Sequence, residues 1–225
     1  MRMDRRIGLW GGGAMTPVKI VLQSGYSEVY FSYAGVQYAT KEGDYGLHPP
    51  VSADAFRGDD LTVGISTGTP GEPTGKPTGK PPEEQPRGEI LKNGVTVVER
   101  TNLPVSYSMT VPSDVLIVVS RTGGGKSYIY TARILTADVT PLHVISISGG
   151  NVMGMKVRYL NVEYVSGEIL VPDGDAIKIY AGYMGNAIIL NGETVASGQN
   201  TSYEMVVTAD TTIAVSGFSV VVTTK

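Results

Sequence analysis

The sequence of 225 residues contains no cysteine. That absence excludes thiol nucleophiles, cysteine-ligated zinc and disulfide staples, so any core must hold without cross-links. It is compatible with folding in a reducing cytoplasm. Histidine is almost as scarce, with only His48 and His143. His48 precedes a proline pair and His143 opens an apolar run, and two isolated imidazoles assemble neither a Ser-His-Asp set nor a histidine metal site. No apolar run reaches the ~18 residues that span a bilayer. Lys and Arg form no cluster and the formal charge is −3, which removes the phosphate-neutralising term on which nucleic-acid binding depends. The expectation is no catalytic residue, no cofactor, no metal, no nucleic-acid partner and no membrane partner.

What is present is turn and strand chemistry. Gly occurs 29 times, Pro 13 times and Tyr 13 times, against three Phe and one Trp. Val, Ile, Thr and Tyr recur in short runs, as pleated strands favour. The period is two: in "VSYSMTV", Val105, Tyr107, Met109 and Val111 share one face, and Ser106, Ser108 and Thr110 the other. Asn93-Gly94 and Asn191-Gly192 are hairpin signals, because both central residues of a type I′ turn need positive φ.

The chain also contains its own copy. Val18, Tyr33, Val36 and Tyr38 lie 126 positions before Val144, Tyr159, Val162 and Tyr164. "GDDLTV" at 58–63 matches "GDAIKI" at 174–179, a shift of 116. "KNGVTV" (92–97) matches "LNGETV" (190–195) at a shift of 98, and "YSMTVPSDVLIVVS" (107–120) matches "YEMVVTADTTIAVS" (203–216) at 96. Finally "GKSYIYT" (125–131) is set against "GFSVVVT" (217–223), a shift of 92. Shifts that change only at glycine-rich or polar stretches are what loop insertions between equivalent strands produce.

These observations predict an all-β chain of two tandem homologous immunoglobulin-like β-sandwich domains, 17–138 and 141–225, behind a flexible N-terminal arm, 1–16. Eight or nine short strands are expected in each unit's core of about 85 residues, with a small Greek-key barrel as the alternative. The arm, "MRMDRRIGLWGGGAM", makes a poor signal peptide because Asp4 and three glycines interrupt it. Unit one carries a Pro-rich loop insertion at 67–88, with "PTGK" twice and six prolines, where unit two has "YAGYMGNA". Such a segment runs semi-extended, as an exposed spacer or an arm along a neighbouring subunit.

"SRTGGGKSYIY" (120–130) raises the question of a phosphate-binding loop. The spacing would require Gly at 120, which is Ser120, and the residues that follow alternate as a strand instead of opening a helix. The three glycines read as an expanded hairpin turn. "RGD" at 57–59 corresponds to "DGD" in unit two and reads as a shared turn, not an integrin ligand. Asp173 and Asp175 lack an EF-hand pattern, and Asn200 fits a glycosylation acceptor only in a secreted eukaryotic protein. Most tyrosines fall at duplicated strand positions, Tyr33, Tyr38, Tyr107, Tyr159, Tyr164 and Tyr203, and read as core or sheet-face packing. Tyr45, Tyr180, Tyr183 and Met184 break the repeat in or beside loops, where binding modules present contacts. Candidate partner contacts are therefore Leu9 and Trp10 in the arm and Tyr45, Tyr183 and Met184 in loops.

The shared pattern "NG-x-T-V … Y-x-M-x-V-x-x-D-x-x-I-x-V-S", at 93–120 and 191–216, resembles immunoglobulin-like domains of bacteriophage virion proteins and bacterial surface proteins. The resemblance implies a non-enzymatic structural component of a virion: a capsid decoration, head-fibre or tail accessory protein. Such a protein is made and assembled in the host cytoplasm and contacts capsid or tail subunits, or further copies of itself. The alternative it implies is a glycan- or receptor-binding module of a bacterial surface or tail-fibre protein, taking a host glycan.

Overall fold

The fold is that of a computed structural model, which describes residues 15–41, 48–66, 85–123, 128–150, 154–182 and 187–225. Among these residues there is no helix. The first half contains β1 (Pro17–Gln23), β2 (Val29–Tyr33), β3 (Val36–Ala39), β4 (Val51–Phe56), β5 (Asp60–Ile65), β6 (Arg87–Lys92), β7 (Val95–Asn102), β8 (Val105–Thr110), β9 (Val115–Thr122) and β10 (Ile129–Thr136). The second half repeats them as β11 (Leu142–Ser148), β12 (Lys156–Tyr159), β13 (Val162–Tyr164), β14 (Gly167–Pro172), β15 (Ala176–Ala181), β16 (Ala187–Leu190), β17 (Glu193–Ser197), β18 (Thr201–Val206), β19 (Thr211–Ser216) and β20 (Ser219–Thr224). Each half forms one six-stranded sheet, β4-β1-β9-β10-β6-β7 or β14-β11-β19-β20-β16-β17. Each also forms one four-stranded sheet, β3-β2-β5-β8 or β13-β12-β15-β18. No sheet mixes strands of the two halves. The architecture is all-β, in two tandem β-sandwiches.

The inward faces follow the alternation of the sequence. Ile20 and Leu22 from β1 meet Phe31, Leu61 and Val63 of the facing sheet in one buried cluster. Tyr33, Tyr159 and Tyr164 are buried, while Tyr38, Tyr107 and Tyr203 pack at the margins. Asn93-Gly94 and Asn191-Gly192 have positive φ throughout, as expected, and so do Ala34-Gly35 and Leu160-Asn161 at the β2–β3 and β12–β13 turns. Each hairpin asparagine also clips the last strand of its unit. Asn93 Nδ2 donates to Thr136 Oγ1 at 2.9 Å, and Thr136 N donates to Asn93 Oδ1 at 3.0 Å. Asn191 and Thr224 repeat both bonds, at 2.8 and 3.0 Å.

Four details differ from expectation. Ten strands, not eight or nine, occupy each unit, because the edge strand β4 and its copy β14 were not read as strands. Each six-stranded sheet is mixed, with β1 parallel to β9 and β6 parallel to β10, and the same in the second copy. The first strands align one residue away from the shift of 126: Ile20 pairs with Val115 and Ile145 with Thr211, so Lys19, not Val18, corresponds to Val144. A slip of one exchanges the faces of a strand, and burial of Ile20, Leu22, Ile145 and Ile147 decides the register. The last strands align through Thr136 and Thr224, the partners of Val115 and Thr211, a shift of 88 and not 92. Matching glycines misled because the β9–β10 hairpin is longer than its copy.

The Pro-rich stretch lies between β5 and β6, as 183–186 lie between β15 and β16, but its last two expected residues are strand. Arg87 and Gly88 pair with β10. Gly88 is closely approached there: a Cβ would stand 2.6 Å from Leu103 Cδ2, and the Leu103 side chain would have to shift.

Candidate functional site

Two surfaces distinguish one unit from the other, and each is a departure from the repeat. The first is where the units meet. Val115 to Val119 of β9 are all buried, although the strand has a face toward each side of its sheet. The inward residues, Val115, Ile117 and Val119, belong to the core of unit one. The outward residues, Leu116 and Val118, join Val21 and Leu135 in the buried cluster of unit two, beside Leu142, Leu160 and Leu170. A continuous apolar run is what a strand covered on both faces carries. Polar groups fix the register of this contact. Gln23 Nε2 donates to Leu170 O at 2.8 Å, and Leu170 N donates to Gln23 Oε1 at 2.7 Å. Arg133 Nη1 donates to Asp175 Oδ2 at 3.0 Å. A cleft of about 390 Å³, lined by Lys19, Pro50, Asp114 and Glu168 among others, opens alongside.

Unit two does not reproduce this apolar face. The structural alignment places Ser146 where unit one has Val21, Ser148 for Gln23, Thr212 for Leu116, Ala214 for Val118 and Thr223 for Leu135. Leu170, which unit two contributes from its edge strand, corresponds to Asp54 in unit one, and Val144 beside it, in the lining of the cleft, to Lys19. Val21, Leu116 and Leu135 on one side of the contact and Leu170 on the other have polar counterparts in the copy that does not use them.

The second surface is the outer face of β13-β12-β15-β18. The register sets Glu163, Arg158, Lys178 and Glu204 in one row across the sheet, with Lys156 opposite Tyr180 and Tyr180 opposite Ser202. Lys156 Nζ, Arg158 Cζ and Lys178 Nζ lie 5.5, 5.4 and 5.4 Å from the centroid of the Tyr180 ring. Glu163 takes two of these cations, Lys156 at 2.8 Å and Arg158 at 2.6 Å. Burial pushes the Glu163 carboxyl up, but the two hydrogen bonds and the charges behind them hold it below its ordinary value. Unit one has Tyr30, Ser32, Gln37, Thr62, Gly64 and Ser108 at the matching positions, with no charge among them. There Thr62 and Ser108 share a hydrogen bond at 2.8 Å, and Gly64 makes room for the Tyr30 ring, into which a Cβ would run.

The remaining sequence candidates fall as follows. Leu9, Trp10, Tyr45, Tyr183 and Met184 all lie outside the described residues. Tyr180, flagged for breaking the repeat, is the centre of the charged face. Its companions Lys156, Arg158 and Lys178 were missed, though their spacing of two along "KVRY" and "AIKIY" marks them as outward. Gly123 is followed, beyond 124–127, by strand β10 where a phosphate-binding loop needs a helix. In the "RGD" turn, Asp59 Oδ2 accepts from Tyr33 OH at 2.6 Å and from Phe56 N at 3.1 Å, so that carboxylate is occupied internally. Asp175 repeats the bond with Tyr159 OH at 2.7 Å. Asp173 meets His143 Nε2 at 3.0 Å. Among the described residues no group of three or more His, Asp or Glu side chains is arranged to hold a metal ion. At one end of unit one, Arg121 lies between the rings of Tyr26 and Tyr128 at 4.5 and 4.4 Å.

A scan against protein-family models found no matching family, and searches of curated proteins and of solved structures found no significant match.

Proposed function

We propose that the chain is a non-enzymatic structural component of a bacteriophage virion, a capsid decoration, head-fibre or tail accessory protein. Its two sandwiches act as a stiff bracket, and its N-terminal arm and loops make the assembly contacts. It is made and assembled in the host cytoplasm and resides in the virion. The observation that carries this reading is the asymmetric seam between the units. Leu116, Val118, Val21 and Leu135 bury one face of unit one against unit two. That arrangement suits a spacer of fixed shape better than a pair of independently hinged modules. Deleting residues 1–16 tests the role of the arm. The truncated protein is expected to keep its fold and to be lost from purified particles, as read by mass spectrometry. Normal incorporation would refute the assembly role of the arm.

A second reading, a glycan- or receptor-binding module of a bacterial surface or tail-fibre protein, is favoured by one observation. This is the charged aromatic face around Tyr180, which unit one lacks.

A further inference from the structure

The outer face of the second unit's four-stranded sheet carries an electrostatic arrangement that the fold does not need. Arg158 on β12 and Lys178 on β15 are directly opposite one another. Like charges in that position destabilise a sheet. Glu163 bonds Arg158 through one guanidinium nitrogen, at 2.6 Å, and shares itself with Lys156. Among the described residues, no carboxylate comes within the 4.0 Å ion-pair distance of Lys178. Arg158 is exposed and Lys178 half-buried, the guanidinium carbon of one and the ammonium of the other each lie 5.4 Å from the centroid of the Tyr180 ring, and Lys178 stands opposite Glu204 on its other side.

Unit one serves as an internal control. Its equivalent of Arg158 is Ser32, and its equivalent of Lys178 is Thr62. The same sheet, with the same pairing, carries neutral side chains at these two positions. The charges on unit two are thus a surface property added to a scaffold that is complete without them.

We infer that this face binds an acidic glycan, with a sugar carboxylate held between Arg158 and Lys178 and the sugar ring resting beside Tyr180. A guanidinium presents parallel N–H donors matched to a carboxylate, and an ammonium adds a point charge. Tyr180, between Lys156 and Ser202 in the next row, supplies an apolar ring edge with a hydroxyl. The flanking Glu163 and Glu204 confine the positive charge to the width of two strands. A single acidic sugar fits that span, whereas a nucleic-acid backbone gains its affinity from a long track of cations. The inference rests on the second reading above and gives it a ligand class and an address.

The test is isothermal titration of the full chain with a short oligogalacturonate at low ionic strength. The matching neutral galactan oligomer and a short single-stranded oligodeoxynucleotide are run beside it. Wild type is expected to bind the uronate and not the neutral sugar. Arg158→Ser and Lys178→Thr, which install the residues of unit one, should each weaken binding about tenfold or more with an unchanged melting temperature. Glu163→Gln frees Arg158 and Lys156 and should tighten binding, a change of sign that misfolding cannot imitate. Absence of uronate binding by wild type would overturn the inference. So would equal affinity for the neutral sugar, stronger binding of the oligonucleotide, or undiminished binding by the Arg158 and Lys178 variants. Incorporation of Lys178→Thr into particles, measured separately, keeps the virion reading distinguishable from this one.

Discussion

Asp59 and Asp175 hold the same place in the two units, each accepting a hydrogen bond from the hydroxyl of the tyrosine that ends the neighbouring strand, β2 or β12. Their backbones repeat as well. Asp59 N donates to Phe56 O and Asp175 N to Pro172 O, while the amides of Val111 and Val207 donate to Asp59 O and Asp175 O. Only Asp175 also takes a cation from the other unit, Arg133. Asp175→Ala removes the partner of Arg133 and the acceptor of the buried Tyr159 hydroxyl together. It is expected to lower stability by about 1–3 kcal/mol. Arg133→Ala should lower it less, since that cation is partly exposed. Chemical denaturation of both variants checks the order, and a larger loss for Arg133→Ala would contradict it. The Tyr–Asp bond was not legible in the sequence, because Tyr33 and Asp59 are far apart along the chain and each reads as ordinary on its own. The hairpin turns were legible, because Asn93-Gly94 and Asn191-Gly192 need nothing beyond their own backbone.

Strands are tied together by cross-strand side chains as well as by ladders. Glu89 on β6 accepts from Thr131 Oγ1 on β10 at 2.7 Å and from Arg100 on β7 at 3.1 Å, linking three strands. The Thr131 bond, opposed by burial and helped by Arg100, lowers the Glu89 carboxyl below its ordinary value of 4.5. The stability that Glu89 contributes is therefore complete above that value and is lost as pH falls through it toward the lower folded value. Thermal melts of wild type are expected to drop across that acid range, and Glu89→Gln should flatten the drop. An identical slope in the variant would show that Glu89 is not a source of it. At this scale the period of two identified nearly every strand, but pairing partners stayed hidden. The parallel contacts of β1 with β9 and of β6 with β10 depend on how the chain crosses between sheets, which alternation does not encode. The one-residue slip at β1 and β11 has the same origin: the shift of 126 holds for Tyr33 and Tyr159 in the next strand, while the pairing of β1 and β11 sets Ile20 and Ile145 125 apart.

Duplication predicts two equivalent bodies, and the molecule departs from equivalence at two surfaces. "DVLIVVS" was read only as a strand; its unbroken apolar run against "DTTIAVS" in unit two could have shown burial on both sides, and that difference marks which unit offers its sheet face to the other. The charged face around Tyr180 could have been found by the same comparison, since Lys156, Arg158 and Lys178 stand against Tyr30, Ser32 and Thr62. The candidates in the arm and loops have no such internal reference. Because Val21, Leu116, Val118 and Leu135 are packed into the cluster of unit two, unfolding either unit exposes the seam of the other. Truncating one buried Leu or Ile typically costs about 2–5 kcal/mol, so replacing Leu116 and Val118 together should uncouple the two bodies. Differential scanning calorimetry of the full chain and of a Leu116→Thr/Val118→Ala double variant, which carries the residues of unit two, tests this most directly. The account predicts a single transition for wild type, with calorimetric and van't Hoff enthalpies in agreement, and two separated transitions for the variant. Two transitions in wild type, or one unaltered transition in the variant, would contradict it.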